Sequence, residues 1–131
     1  MKVVIDCNVV ISAGLTNGIC RKIIYELIES HDNILSLEIL REYNTVAKRR
    51  KFLSVQNNLL SLIYALSWNA HFVSPSPWSF QLPDPDDQIY LDTAFAGEAE
   101  VIITGNKKHF PEANYKDIQI VSPREFLDMV S

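Results

Sequence analysis

The chain has 131 residues, 47% hydrophobic and 21% charged, enough for one domain that buries its own core without covalent staples. Its 12 basic and 16 acidic residues give a net charge of −4, which excludes a nucleic-acid binder working through a global positive field, so any such site must be local. Cys7 and Cys20 form no C-x-x-C pair and adjoin no histidine cluster, which excludes a disulfide framework or a zinc site, and no apolar run approaches the about 18 residues of a membrane span. The expectation is a single soluble, cytoplasmic domain over residues 1–131 with no membrane partner.

In chain order, Val3-Val4-Ile5 is a β-branched run with no polar alternation, the pattern of a strand buried on both faces of a parallel sheet. It stops at Asp6, followed by Cys7 and Asn8. A carboxylate at a strand's carboxyl end lies where open α/β sheets bind ligands, or it caps the next helix. Val9-Val10-Ile11 stays apolar until Gly14 and Asn17-Gly18 break the pattern, and Ile19, Ile23, Ile24, Leu27 and Ile28 then recur at helical spacing. A short strand at Ile34-Leu35 precedes Ser36, the expected N-cap of a helix running to about Arg50. On that helix Ile39, Tyr43, Val46 and Ala47 form the apolar face. Glu42 lies at its edge, whereas Glu38 simply complements the helix dipole in the first turn. Lys48-Arg49-Arg50-Lys51 reads first as a cationic helix end and second as a phosphate contact.

Leu59, Leu60, Ile63 and Leu66 predict another amphipathic helix, followed by a strand at Phe72-Val73 and a proline-rich loop to Pro85. In that loop Trp78 and Phe80 could stack on bases, but the favoured reading is that they pin the loop to the body or to a second subunit. Asp84 suits an N-cap and Pro85 the first helical position. Asp87 shares a face with Leu91 and Ala94, and Asp86 aligns with Tyr90 and Thr93, so Asp87 is the acid aimed at the sheet. Val101-Ile102-Ile103 is a second buried strand, ending in Thr104-Gly105-Asn106 much as the first ends at Asp6. Lys107, Lys108 and His109 follow in a turn, Ile118–Val121 is a last strand, and Ser122-Pro123-Arg124-Glu125 is a capping box. His31, His71 and His109 stand alone and read as surface or packing residues.

The sheet's carboxyl edge thus collects Asp6, Asn8, Thr104 and Asn106, to which Glu42 and Asp87 are added. Three carboxylates from separate elements repel one another unless a hard cation such as Mg²⁺ or Mn²⁺ neutralises them, and such clusters activate water and steady phosphoryl oxygens. No Gly-rich phosphate loop and no Ser-His-Asp order points elsewhere.

These motifs, in this order, resemble a PIN-domain protein of the VapC-like toxin kind over nearly the whole chain. The likeness rests on Val3 to Ala13 around Asp6 and Asn8, Ser36 to Tyr43 around Glu42, Asp86 to Ala94, and Ile102 to Phe110. It implies an α/β three-layer sandwich, with a central parallel sheet of about five strands and helices on both faces. It further implies a metal-dependent endoribonuclease, the toxin of a toxin-antitoxin pair, silenced by a small antitoxin and often homodimeric. The principal acids carry over to Asp6, Glu42 and Asp87 as Mg²⁺ or Mn²⁺ ligands, with Asn8 and Thr104 in support. Asn106 orients water or phosphate, and Lys107 and Lys108 meet the RNA backbone. The chain departs from the pattern where many members have a fourth acid and it has Asn106, or where others have one and it has His109. That loss implies a single tightly held ion or weaker, Mn²⁺-favouring activity. The alternative is a catalytically weak or inactive PIN-fold module that acts by binding RNA or protein.

Overall fold

The computed structural model describes residues 1–76 and 80–131, so Trp78 lies outside the described residues. Lys2–Ile5 forms β1, with Val3, Val4 and Ile5 wholly buried, as a strand covered on both faces requires. Cys7–Leu15 is helix α1, and it is this helix that takes up Val9, Val10 and Ile11; burial on nearly every side leaves it no period to distinguish it from a strand. Helix α2 (Ile19–Ser30) buries Ile23, Ile24 and Leu27, β2 is Asp32–Leu35, and α3 is Leu37–Ala47, capped by Ser36, whose Oγ accepts from the Ile39 amide at 3.2 Å. Then come α4 (Gln56–Trp68), β3 (Ala70–Phe72), α5 (Pro85–Ala96), β4 (Val101–Ile103), β5 (Asn114–Tyr115), β6 (Ile118–Val121) and α6 (Pro123–Val130).

The strands make one sheet in the order β3-β2-β1-β4-β6-β5, parallel except for β5 against β6. From β1 the chain steps outward to β2 and β3, then returns across the sheet to β4 and continues to β6. Right-handed crossovers therefore put α1 to α4 on one face and α5 on the other. Accordingly α1 packs on α2, α3 and α4, and α5 on β1, β2 and β4. The direction of winding reverses between β1 and β4, whose register pairs Ile5 with Ile103, and the crevice beyond those two ends is where such sheets bind ligands.

Two element boundaries shift, while the parallel-strand count and the expected Phe80 contact hold. The expected five parallel strands are present, β3, β2, β1, β4 and β6, and a sixth, β5, is a two-residue antiparallel edge strand, too short for any alternation to be read. Strand β3 is Ala70–Phe72, earlier than Phe72-Val73. Helix α3 stops at Ala47, with Lys48 as its C-cap; Arg49 is extended, and Arg50–Val55 forms a separate 3-10 turn. The cationic quartet is thus not the last turn of the helix, and the dipole does not account for Arg49 to Lys51. Phe80 meets Tyr115 edge to face at 5.6 Å, and its carbonyl accepts from Gln88 Nε2, so it pins the loop to the body.

Tyr43 ties the layers together at the site. It is fully buried on α3, and its hydroxyl donates to the carbonyl of Ile5, the last residue before Asp6. Tyr43→Phe should lower the unfolding free energy by about 1–2 kcal/mol in urea titrations; unchanged stability would show that the hydrogen bond contributes nothing to joining α3 to β1.

Candidate active site

Asp6 occupies the N-cap position of α1 with extended backbone, yet its side chain makes no capping hydrogen bond. Its amide continues the β1–β4 ladder by donating to the Ile103 carbonyl at 2.9 Å, which fixes the carboxylate in the crevice at 3% exposure. There Asp6 Oδ2 accepts from Thr104 Oγ1 at 2.8 Å and, more weakly, from Asn8 Nδ2 at 3.4 Å. Thr104, fully buried just past β4, is held in turn by its own amide bonding to Val121. Asn8 Oδ1 accepts from the Gly105 amide at 3.1 Å, which clips the loop after β4 onto α1.

Asp87 enters from the first turn of α5, buried, while its neighbour Asp86 is exposed. Tyr90 and Thr93, which periodicity groups with Asp86, are fully buried as well. Thr93 Oγ1 donates to Ser36 Oγ at 2.9 Å, and Tyr90 Oη donates to Glu42 Oε1 at 2.6 Å, so both tie α5 to the start and middle of α3. Tyr90 is a site residue that sequence reasoning missed; its signal was a tyrosine one turn after the paired acids.

His109 is the other. It was expected as a surface or packing residue, but the 3-10 turn Lys107–His109 swings it back into the crevice, where Nδ1 lies 3.1 Å from Asp6 Oδ2 and 3.7 Å from Asp87 Oδ1. Asn106 shapes that turn: its Oδ1 accepts from the Lys108 amide at 3.1 Å, and its Nδ2 lies 3.3 Å from His109 Nε2. Asn106 reaches the acids indirectly, through His109 and through Thr104, whose Oγ1 accepts from the Asn106 amide at 3.0 Å. Lys107 is paired with Glu125, and neither it nor Lys108 lines the cleft of about 440 Å³ that contains Asp6, Asn8, Glu42, Asp87 and His109.

Burial and mutual repulsion dominate the electrostatics. Burial raises the Asp87 carboxyl from 3.8 to about 6, opposed by His109 and reinforced by Asp6, Asp84 and Glu42. Burial also raises Glu42, against the Tyr90 hydrogen bond and with the push of Asp6 and Asp86. Cys7, buried beside Glu42 and Asp6, has its thiol pushed up to about 12, chiefly by burial, which keeps it protonated. Asp87 Oδ2 is buried and has no hydrogen-bond partner among the described residues.

A family model described as the PIN domain matches residues 2–108. The chain belongs to the PIN-domain family. An uncharacterised protein of Methanocaldococcus jannaschii is 31% identical over 141 residues, an alignment that covers 98% of this chain and 90% of that one. The fold is similar to that in the crystal structure of VapBC2 from Rickettsia felis bound to a DNA fragment from their promoter. The TM-score is 0.66 at 14% identity, over 93% of this PIN domain and 98% of that chain.

PIN domains typically bind a divalent metal. Among the described residues no three His, Cys, Asp or Glu side chains are grouped to hold an ion as they stand; Glu42 is engaged by Tyr90, and His109 lies against Asp6 and Asp87. The donors nevertheless fit in kind: hard carboxylate oxygens in a buried crevice, with Asp87 Oδ2 lacking the partner that a cation would supply.

The raised Asp87 carboxyl has a definite sign for stability. The folded chain holds that proton more tightly than the unfolded chain, so its stabilisation is complete below the unfolded value of 3.8 and is lost as pH rises through about 6. In chelator, melting temperature should fall across that window. Asp87→Asn should flatten the fall and melt higher than the unsubstituted protein above it; an equal or lower melting temperature there would contradict a net cost for burying the Asp87 charge.

Proposed function

We propose that this PIN domain is a metal-dependent endoribonuclease acting as the toxin of a toxin-antitoxin pair. The observation that carries the reading is Asp87 Oδ2, buried without a partner among the described residues, in the crevice that also holds Asp6 and Glu42. Asp6, Glu42 and Asp87 would hold Mg²⁺ or Mn²⁺. The bound ion supplies Lewis acidity that lowers the pKa of water and offsets charge on phosphoryl oxygens. Asp6 is oriented for this by Thr104, and Asn8 keeps the loop after β4 in place. Tyr90 holds Glu42 at the cleft wall. Asn106 positions His109, which lies close enough to the acids to meet a scissile phosphate. Membership of a family of nucleases supports phosphodiester hydrolysis, and the likeness to the Rickettsia felis VapBC2 complex supports a small antitoxin partner. A homodimer and cytoplasmic action belong to the same reading.

A second reading is favoured by the His109 contacts: an imidazole against Asp6 and Asp87 would let the site persist without metal, in a module that binds RNA or protein and does not cut.

Mixed cellular RNA incubated with purified protein separates them. Cleavage should require Mn²⁺ or Mg²⁺, cease with a chelator, and fall by at least about a hundredfold in Asp6→Asn, a transition-state loss of about 2.7 kcal/mol or more. Equal cutting by Asp6→Asn would assign the activity to a contaminant, and no cutting by any form would favour the binding module.

A further inference from the structure

The cleft extends past the carboxylates. It runs between α1 and the segment after α3, where Arg49, Lys51 and Phe52 line it together with Ile11, Ser12 and Leu15. The early stop of α3 at Ala47 makes this possible: Arg49 is extended, and the Phe52 amide donates to the Arg49 carbonyl at 2.9 Å, so the chain turns back along the cleft where a longer helix would have carried it away. Lys51 Nζ stands 5.1 Å from the centre of the Phe52 ring, which sets its charge above the apolar floor.

A chain of net charge −4 that gathers three carboxylates in one cleft repels a polyanion unless cations lie beside them. The cationic side chains lining this cleft are Arg49 and Lys51, with His109 among the acids. Both are exposed, and among the described residues neither is in an ion pair, whereas Lys107 is paired with Glu125. We infer that Arg49 and Lys51 bind backbone phosphates of single-stranded RNA flanking the scissile one, while Phe52 and Ile11 floor the space for an intervening base or ribose. The inference rests on the nuclease reading and places the RNA path along α1, away from Lys107 and Lys108. The charge complementarity favours RNA over a partner peptide as the occupant, because the cations adjoin the acids assigned to cleavage.

Anisotropy of a short fluorescent single-stranded RNA, titrated in chelator so that it stays uncut, tests this across about 50 to 200 mM salt. Arg49→Ala/Lys51→Ala should bind several-fold more weakly, and the slope of log affinity against log salt should shrink by about 1.4, about 0.7 for each phosphate no longer neutralised. Arg49→Lys/Lys51→Arg should keep the slope, and Lys107→Ala/Lys108→Ala should change it less. If the unsubstituted protein binds but Arg49→Ala/Lys51→Ala keeps both affinity and slope, the inference is overturned, the nuclease reading survives, and the cleft belongs to another occupant such as a peptide. If the unsubstituted protein does not bind RNA even at low salt, both fall together.

Discussion

Three carboxylates share the crevice where the sheet reverses its winding, and the fold holds them there against their mutual repulsion. Burial and the neighbouring acids raise both Asp87 and Glu42, with the charge of Asp6 adding to each. The structure resists relaxation because each acid is fixed from a different side. Asp6 is locked by a backbone hydrogen bond to β4, Asp87 by the first turn of a capped helix, and Glu42 by Tyr90. A protein selected for stability alone would protonate or disperse such a cluster. Holding it together is the kind of local conflict that marks a site shaped for a ligand.

The polar residues around the acids work by position. Thr104 and Asn8 join the ends of β1 and β4, so Asp6 is held by the strands on both sides of the reversal. Among the described residues Asn106 bonds to no acid; its influence passes through Thr104, which its amide bonds, and through the histidine carried by the turn it caps. His109 lies against both Asp6 and Asp87, two of the three acids in the crevice. The place where the chain lacks an acid is thus filled by a residue that complements acids.

Much of this was legible in the sequence because parallel strands buried on both faces announce themselves as β-branched runs, and the polar residues that end them fall at the carboxyl edge. Asp6 and Thr104 were located this way, and the α5 periodicity separated Asp87 from Asp86, which the structure places respectively inside and outside the crevice. The same periodicity gave Tyr90 and Thr93 no inward role, because α5 is covered on more than one side and an amphipathic stripe presumes only one. His109 was missed because a three-residue 3-10 turn has no periodicity, and the direction of its last side chain depends on the cap at Asn106. Helix α3 was drawn too long because Lys48 to Arg50 are good helix formers, and nothing local marks the extended backbone at Arg49.

The account depends on a divalent cation completing the coordination of Asp87. The most direct measurement is an anomalous difference map from a crystal grown with Mn²⁺. A peak within ligating distance of both Asp6 and Asp87, with Glu42 bound directly or through one water, is the predicted result. A crevice without such a peak, in which Asp87 Oδ2 is satisfied by a protein group or water alone, would contradict it.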